Sequence, residues 1–239
     1  MSIKTYLLRR APKGAYTDGR VIGAMKVGII GSGEVGRALG SGFASRGHEV
    51  KVGSRNPKNA ELVAWREKTG GKASTGTFAE AAKHGEVLLL AVRGTAVEDA
   101  IQLAGPENFG TKVVIDVTNP LDFSGGPLPG LFVGPKDSLG ERIQRVLPNA
   151  KVVKCFNTVS NAQMVDPKYA GGAPDMLIAG NDAAAKKTVV GILKEFGWPG
   201  AIDVGRIEGA RWLEALVPLW VLVGSKIGRW DHAFKVVHG

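Results

Sequence analysis

Three glycines stand in the spacing G-x-G-x-x-G within Gly31-Ser32-Gly33-Glu34-Val35-Gly36. They follow the apolar run 25–31 and open the segment 34–47, in which Val35, Leu39 and Phe43 recur four apart and Gly47 provides a stop. Strand, glycine turn and helix in that order form the context in which this spacing carries chemistry. Gly31 permits the tight turn, Gly33 lets a phosphate approach the backbone, and Gly36 lets helix and strand pack closely. The helix N-terminus then offers unpaired N–H groups and a partial positive charge to a pyrophosphate. The competing reading is a purely structural turn.

A dinucleotide with free ribose hydroxyls calls for an Asp or Glu about 20 residues further on. The second apolar run, 48–54, ends instead in Gly53-Ser54-Arg55-Asn56, with Lys58 close behind. No carboxylate stands there to repel a 2′-phosphate. Ser54 can donate a hydrogen bond, and Arg55 can pair with phosphate and stack on adenine. These residues select NADP(H) over NAD(H). The alternative for Arg55 is a solvated surface cation. The cofactor-binding candidates from this pattern are Gly31, Ser32, Gly33, Glu34, Val35, Gly36, Ser54, Arg55, Asn56 and Lys58.

Other reactive residue types are sparse. The single cysteine, Cys155, lies in the apolar run AKVVKCFN and is expected to be a buried, inert thiol rather than a nucleophile. One cysteine allows no disulfide within the chain, which fits a reducing compartment and a cytoplasmic protein. His48, His84, His232 and His238 have no metal-ligand spacing with Cys or Asp.

The elements that must position the glycine turn alternate between short β-branched runs and helical stretches. Strands are expected over 25–31, 48–54, 86–92, 112–118, 150–157, 174–181 and 201–205. Helices are expected over 34–47, 57–69, 77–85, 95–104, 138–148, 182–197 and 208–228, with Pro218 kinking or interrupting the last. Thr77 with Glu80 three residues on forms a capping box. Buried strands alternating with helices imply βαβ units and a parallel sheet. The expected fold is α/β, a Rossmann-like, doubly wound, mostly parallel sheet with a small helical C-terminal extension. One such unit spans 25–239, its helical part starting near 206. The Gly/Pro-rich stretch 124–130 is the expected flexible loop. By the rule that ligands bind beyond the carboxyl ends of parallel strands, Asn119 and Pro120 line the same crevice. A plain turn before Pro120 is the alternative for Asn119.

The chain has 239 residues, 44% hydrophobic and 22% charged, an ordinary globular balance. Its formal charge is +9, of which residues 1–25 hold Lys4, Arg9, Arg10, Lys13 and Arg20 against Asp18. Residues 1–24 are expected to be a flexible basic leader, with a transit peptide as the alternative. The rest is too mildly basic to imply nucleic acid, and no nucleic-acid motif accompanies it. The most apolar stretch, 212–224, contains Glu214 and Pro218 and falls short of the roughly 18 residues of a membrane span. Trp212, Trp220 and Trp230 either pack in the core or an interface, or cover the crevice.

The stretch MKVGIIGSGEVGRALGSGFASRGHEVKVGSRNP resembles the start of the coenzyme F420-dependent NADP oxidoreductases, a group that includes the cytosolic reductase domain of membrane ferric reductases. GSRNP, FNTV (156–159) and RWLEALVPLW (211–220) carry the resemblance further, over most of 26–220. It implies hydride exchange between NADP(H) and a flavin-like ring: coenzyme F420, FMN or FAD. Such chemistry needs two ring faces in contact and water excluded, not an acid–base side chain. The resemblance also implies that the cofactor touches Ala91, Val92 and Arg93. It places the nicotinamide and its redox partner near Asn157, Val159 and Ser160, for which no acid–base role is assigned; a strand-end cap is the alternative for Asn157. Asn157-Thr158-Val159-Ser160 stands where the F420 enzymes carry a His-Thr-Ile-Pro type sequence, and is nearer the ferric-reductase form. Other readings are an imine or keto-acid reductase of the pyrroline-5-carboxylate type and a non-enzymatic NADP-binding sensor. The implied partners are a small-molecule redox acceptor and, by resemblance alone, a second copy in a homodimer, with no nucleic acid and no membrane.

Overall fold

The computed structural model describes residues 23–237. The leader expected over 1–24 lies outside that range but for its last two residues.

The first half builds a parallel sheet by alternation of strands and helices. β1 (Lys26–Ile30) leads through the glycine turn into α1 (Glu34–Ser45), β2 (Glu49–Gly53), α2 (Ala60–Thr69), β3 (Ala73–Gly76), α3 (Phe78–His84), β4 (Val87–Leu90), α4 (Val97–Ala104) and β5 (Val113–Asp116). A two-stranded hairpin, β6 (Leu121–Asp122) with β7 (Gly130–Leu131), flanks the Gly/Pro-rich loop. The chain continues through α5 (Leu139–Val146), β8 (Lys151–Lys154), β9 (Leu177–Gly180), α6 (Ala183–Glu195), β10 (Ile202–Asp203) and α7 (Ala210–Ile227).

The strand order is β10-β9-β8-β5-β4-β1-β2-β3. β1 lies between β2 and β4, so the chain winds one way from β1 and the other way from β4. The crevice beyond the β1 and β4 ends is therefore the switch point where such sheets take ligands. β8 and β9 pair antiparallel, with Val153 opposite Gly180, while every other neighbouring pair is parallel. The sheet is thus mostly parallel, as the alternating pattern implies.

Each sheet face is covered by its own apolar layer. Leu39 and Phe43 of α1, Trp65 of α2 and Val189 and Leu193 of α6 pack over Val27, Ile29, Leu89, Ile115 and Val153. On the other face, Ala81, Ile101, Ile143 and Ala210 from α3, α4, α5 and α7 cover Ile30, Leu88, Leu90, Val114 and Val152. Alternate residues of one strand thus serve opposite layers, which explains why these strands are apolar throughout. Cys155 is fully buried in the first layer, and burial pushes its thiol pKa well up, away from nucleophilic use.

Local chemistry sets the element ends. The Thr77 hydroxyl accepts from the Glu80 N–H, and the Glu80 carboxylate accepts from the Thr77 N–H at 2.7 Å, completing the capping box. The helix expected over 57–69 starts later, at Ala60, because Asn59 takes the cap and its Oδ1 accepts from the Leu62 N–H at 2.9 Å. β3, Ala-Ser-Thr-Gly, has no apolar pattern and is absent from the sequence expectation; pairing with β2 at the sheet edge makes it a strand. The expected interruption at Pro218 does not occur: α7 runs through it. The burial of Leu213, Glu214, Val217 and Trp220 on both sides of the proline holds the helix continuous.

Asp137 ties down α5 through Arg145 at 2.8 Å and Arg142 at 3.3 Å. The Arg145 hydrogen bond, working against partial burial, holds the Asp137 carboxyl at about 2. A carboxyl whose folded pKa lies below its free value contributes stability above that free value and loses it as pH falls through the folded one. Asp137→Asn is therefore expected to cost less than about 1 kcal/mol at neutral pH, the pair being partly exposed. Thermal melts of variant and wild type should converge between about pH 4 and pH 2.

Candidate cofactor and acceptor site

The glycine turn sits at the carboxyl end of β1. Gly31 has φ +128, and its N–H donates to the Gly53 carbonyl at 3.2 Å, joining the ends of β1 and β2. A Cβ on Gly36 would lie 2.0 Å from the Gly31 carbonyl oxygen, so only glycine lets α1 start this close to the turn. Gly33 differs: a Cβ there would meet nothing within 4 Å. Gly33 is also the N-cap of α1 and supplies no side-chain cap, which leaves the first N–H groups of the helix open. That opening is a cradle for an anion at a helix N-terminus.

The second loop is bound to the first. The Ser32 hydroxyl donates to Ser54 Oγ at 3.1 Å, and the Asn56 N–H donates to the same oxygen at 3.1 Å. With both acceptor positions of Ser54 filled, its own proton is left to donate outward. Arg37 braces the turn by donating to the Ser32 carbonyl at 2.8 Å while pairing with Glu61 at 2.9 Å. The side chains of Arg55, Lys58 and Arg93 are exposed and have no partner among the described residues. Asn56 Oδ1 accepts from the Lys58 N–H at 3.2 Å, shaping the turn before α2.

Two hollows meet at the first turn of α1. One, of about 630 Å³, is lined by Ser32, Gly33, Glu34, Arg37, Asn59, Ala60 and Glu61. The other, of about 310 Å³, lies beyond the ends of β5 and β8. Val35, Val117, Leu121, Phe156, Val159, Met164, Val217, Trp220, Val221 and Trp230 form its apolar wall, with Asn119, Asn157, Ser160 and Asn161 as its polar groups. No charged side chain lines this second hollow. Glu34 reaches toward it only through a 3.5 Å contact from Asn161 Nδ2.

Asn119 and Asn157 are brought together at its floor. Asn157 Nδ2 donates to Asn119 Oδ1 at 2.6 Å. Asn157 is 8% exposed, and its Oδ1 is buried with no hydrogen-bond partner. A buried carboxamide oxygen without a donor is costly, on the order of 1–3 kcal/mol, unless a ligand completes it. The preceding residue, Phe156, adopts φ +63, a left-handed conformation that a bulky aromatic residue rarely takes. This turn swings the chain out of β8 and delivers Asn157, Val159 and Ser160 to the hollow.

Of the sequence-derived residues, Ser32, Gly33 and Glu34 line the first hollow, and Val35, Asn119, Asn157, Val159 and Ser160 line the second. Ser54 is tied to the first hollow through its bond to Ser32, while Arg55, Asn56 and Lys58 are exposed and lie outside its lining. Ala91 and Val92, partly buried, follow β4 at the switch point, where the Ala91 carbonyl lies 2.3 Å from an ideal Cβ on Gly31. Pro120 is buried behind Asn119. Trp220 and Trp230 cover the second hollow, their rings 5.7 Å apart, while Trp212 is 68% exposed and takes no part.

Residues outside the sequence expectation also matter. Arg37 and Glu61 are surface-type residues in sequence and acquire a role only when α1 and α2 meet. Phe156 and Met164 read as plain core. Asp116, Lys154 and Glu214 are single charges inside apolar runs, and that is the signal that marks them. Among the described residues, no cluster of His, Cys, Asp or Glu forms a metal site, and no helix is long and apolar enough to cross a membrane.

An open glycine cradle, an outward-donating Ser54, an unpaired Arg55 and an orphaned carboxamide oxygen fit a phosphorylated dinucleotide laid across Gly33. Comparison with known proteins agrees. Residues 26–120 match the family model for NADP oxidoreductase, coenzyme F420-dependent. The F420-dependent NADP reductase of Methanocaldococcus jannaschii is 32% identical over 85% of this chain and 93% of its own length. A solved structure from Arthrobacter sp. FB24, assigned as an F420-dependent NADP-reductase, superposes with TM-score 0.86 at 39% identity, covering 90% of this chain and 100% of that one. Metalloreductase STEAP3 of Rattus norvegicus is 32% identical over 85% of this chain, which spans 38% of that protein. With its glycine cradle, its switch-point crevice and relatives matched along nearly their full length, the chain belongs to the F420-dependent NADP oxidoreductase family and is an NADP-dependent oxidoreductase.

Proposed function

We propose that the protein moves a hydride between NADP(H) and a flavin or deazaflavin ring held in the apolar hollow between the ends of β5 and β8 and the side of α7. The observation that carries this reading is a hollow with an apolar wall and no charge in its lining, where the carboxamides of Asn119 and Asn157 are among the few polar groups. A carboxamide oxygen in that place accepts from the amide of a nicotinamide and sets the ring's orientation.

When NADPH is bound, C4 of its ring supplies two electrons and one hydrogen as hydride, and the acceptor ring completes its reduction with a proton from water. The chain's own residues bind, orient and exclude. Gly31–Gly36 would take the pyrophosphate on the α1 N-terminus, and Ser54 and Arg55, with Asn56 and Lys58 beside them, the 2′-phosphate. Ala91, Val92, Asn119 and Pro120 would line the path between the hollows. Val159, Trp220 and Trp230 would keep water from the ring faces, and Ser160 would offer the acceptor a hydroxyl. Orientation and dryness are what hydride exchange between two rings requires, so the missing acid–base residue is in keeping with the chemistry.

The test is an acceptor screen in which NADPH oxidation is followed with FMN, FAD, coenzyme F420 and pyrroline-5-carboxylate in parallel. Turnover with one or more of the tricyclic acceptors is the expected result. Turnover with pyrroline-5-carboxylate alone would move the protein to the imine-reductase reading. Soluble reductase chemistry also predicts that no detergent or membrane fraction is needed for that turnover.

A further inference from the structure

Beneath the apolar hollow lies a charged network that the chemistry above does not use. Lys154 ends β8 and Asp116 ends β5, and the two are register partners in adjacent parallel strands. Lys154 Nζ donates to Asp116 Oδ2 at 2.7 Å, to the Thr118 carbonyl at 2.9 Å and to Glu214 Oε1 at 2.7 Å. The ammonium therefore spends all three protons. Asp116 Oδ1 in turn accepts from the Thr118 N–H at 2.9 Å and its hydroxyl at 2.7 Å. Glu214 accepts from the N–H groups of Leu139 and Gly140 at 2.9 and 3.0 Å, capping α5 from across the fold. Lys154, Asp116 and Glu214 are 0%, 0% and 2% exposed. Burial presses the Lys154 pKa down, but attraction to Asp116 and Glu214 outweighs it and the net direction is up, so the lysine stays charged.

A buried ionic trio is poor at adding stability, because apolar side chains of equal volume fill such a space without desolvating three charges. What a directional network adds is register. This one fixes three walls of the hollow to one another. Thr118 directly precedes Asn119, Lys154 stands three residues before Asn157, and Glu214 lies one and two turns from Val217 and Trp220 on α7.

We propose that Lys154, Asp116 and Glu214 act as a positioning unit, locking the asparagine-bearing strand ends against α7 so that the ring seat in the hollow has one width. The inference rests on the nicotinamide placement proposed above. The unit touches neither the glycine turn nor the Ser54–Arg55 loop, so its loss acts on one end of the cofactor only.

Glu214→Gln keeps the shape but substitutes a donor that faces either the Lys154 ammonium or the α5 N–H groups. Two probes separate the ends of the site: 2′,5′-ADP for the phosphate end, and the fluorescence of bound NADPH for the nicotinamide end. The variant is expected to bind 2′,5′-ADP within about twofold of wild type, since those contacts are remote. Its bound-NADPH emission should fall toward the free value, and hydride transfer should slow by about tenfold to a hundredfold, the scale of a small misplacement of reacting rings. Wild-type emission in folded Glu214→Gln would overturn the proposal, as would equal loss of both probes, which signals general unfolding. If Glu214→Gln does not fold, Thr118→Val decides, since it removes only the hydroxyl bond to Asp116: reduced emission supports the unit and wild-type emission overturns it. If the wild-type protein itself gives no enhanced emission with NADPH, the nicotinamide placement fails and this inference with it. Enhancement kept in the variants fails the positioning unit alone.

Discussion

Arg55→Asp is expected to weaken NADPH binding by about 100-fold or more, roughly 3 kcal/mol, while NADH binding changes only a few-fold. Arg55 follows the buried Ser54 at the end of β2, and its exposed guanidinium has no partner among the described residues. A doubly charged 2′-phosphate there would lose a charge-assisted, two-pronged contact and meet a carboxylate instead. The exposure of the site makes the effect depend on salt, so the loss should be larger at low ionic strength. Titration of both dinucleotides by calorimetry at two salt concentrations checks this. Equal losses for NADPH and NADH would contradict the assignment and return Arg55 to a solvated surface cation.

Gly33→Val is expected to abolish dinucleotide binding without disturbing the fold. The Gly33 backbone, φ −70 and ψ −177, is extended and open to any residue, and an added Cβ meets no protein atom within 4 Å. Stability should stay within about 0.5 kcal/mol of wild type, as for a surface substitution. NADPH and NADH should both lose more than about 100-fold in affinity, because the added methyl groups fill the space in which the shared pyrophosphate meets the α1 N–H groups. Gly36→Val is the contrast. Its Cβ would sit 2.0 Å from the Gly31 carbonyl oxygen, so it should lower the melting temperature sharply before any ligand is added. A Gly33→Val protein that melts normally and still binds NADPH would make the motif a structural turn.

The parts of this protein legible in its sequence are those written locally. Strand, glycine turn and helix are adjacent in the chain, so GIIGSGEVG discloses both the fold and the phosphate cradle. The missing acid at Ser54-Arg55 is legible because β2 follows α1 directly, and the loop proposed for the 2′-phosphate is the very next one. Family likeness, rather than spacing, leads to Asn157, Val159 and Ser160, and the structure puts them on the hollow beside Asn119. What stays hidden depends on contacts between distant segments. β3 has no apolar pattern of its own, and only the β2 edge makes it a strand. The start of α2 shifts because an asparagine cap competes successfully with the helix-permitting Pro57. α7 crosses Pro218 because tertiary burial outweighs one missing hydrogen bond. Glu214 reads as a stray charge on an apolar helix until Lys154 and the α5 N-terminus, 60 and about 75 residues away in the chain, are brought to it.

The central claim is direct hydride passage between two rings held face to face in the apolar hollow. The measurement that tests it most directly uses NADPH carrying deuterium at both C4 positions, with a deazaflavin acceptor in ordinary water. Carbon-bound deuterium at C5 of the reduced deazaflavin does not exchange with water, so mass spectrometry of the product counts it. One deuterium per reduced ring is predicted. Reduced deazaflavin containing only solvent hydrogen, or no reduction of any tricyclic acceptor by protein that binds NADPH, would contradict the account.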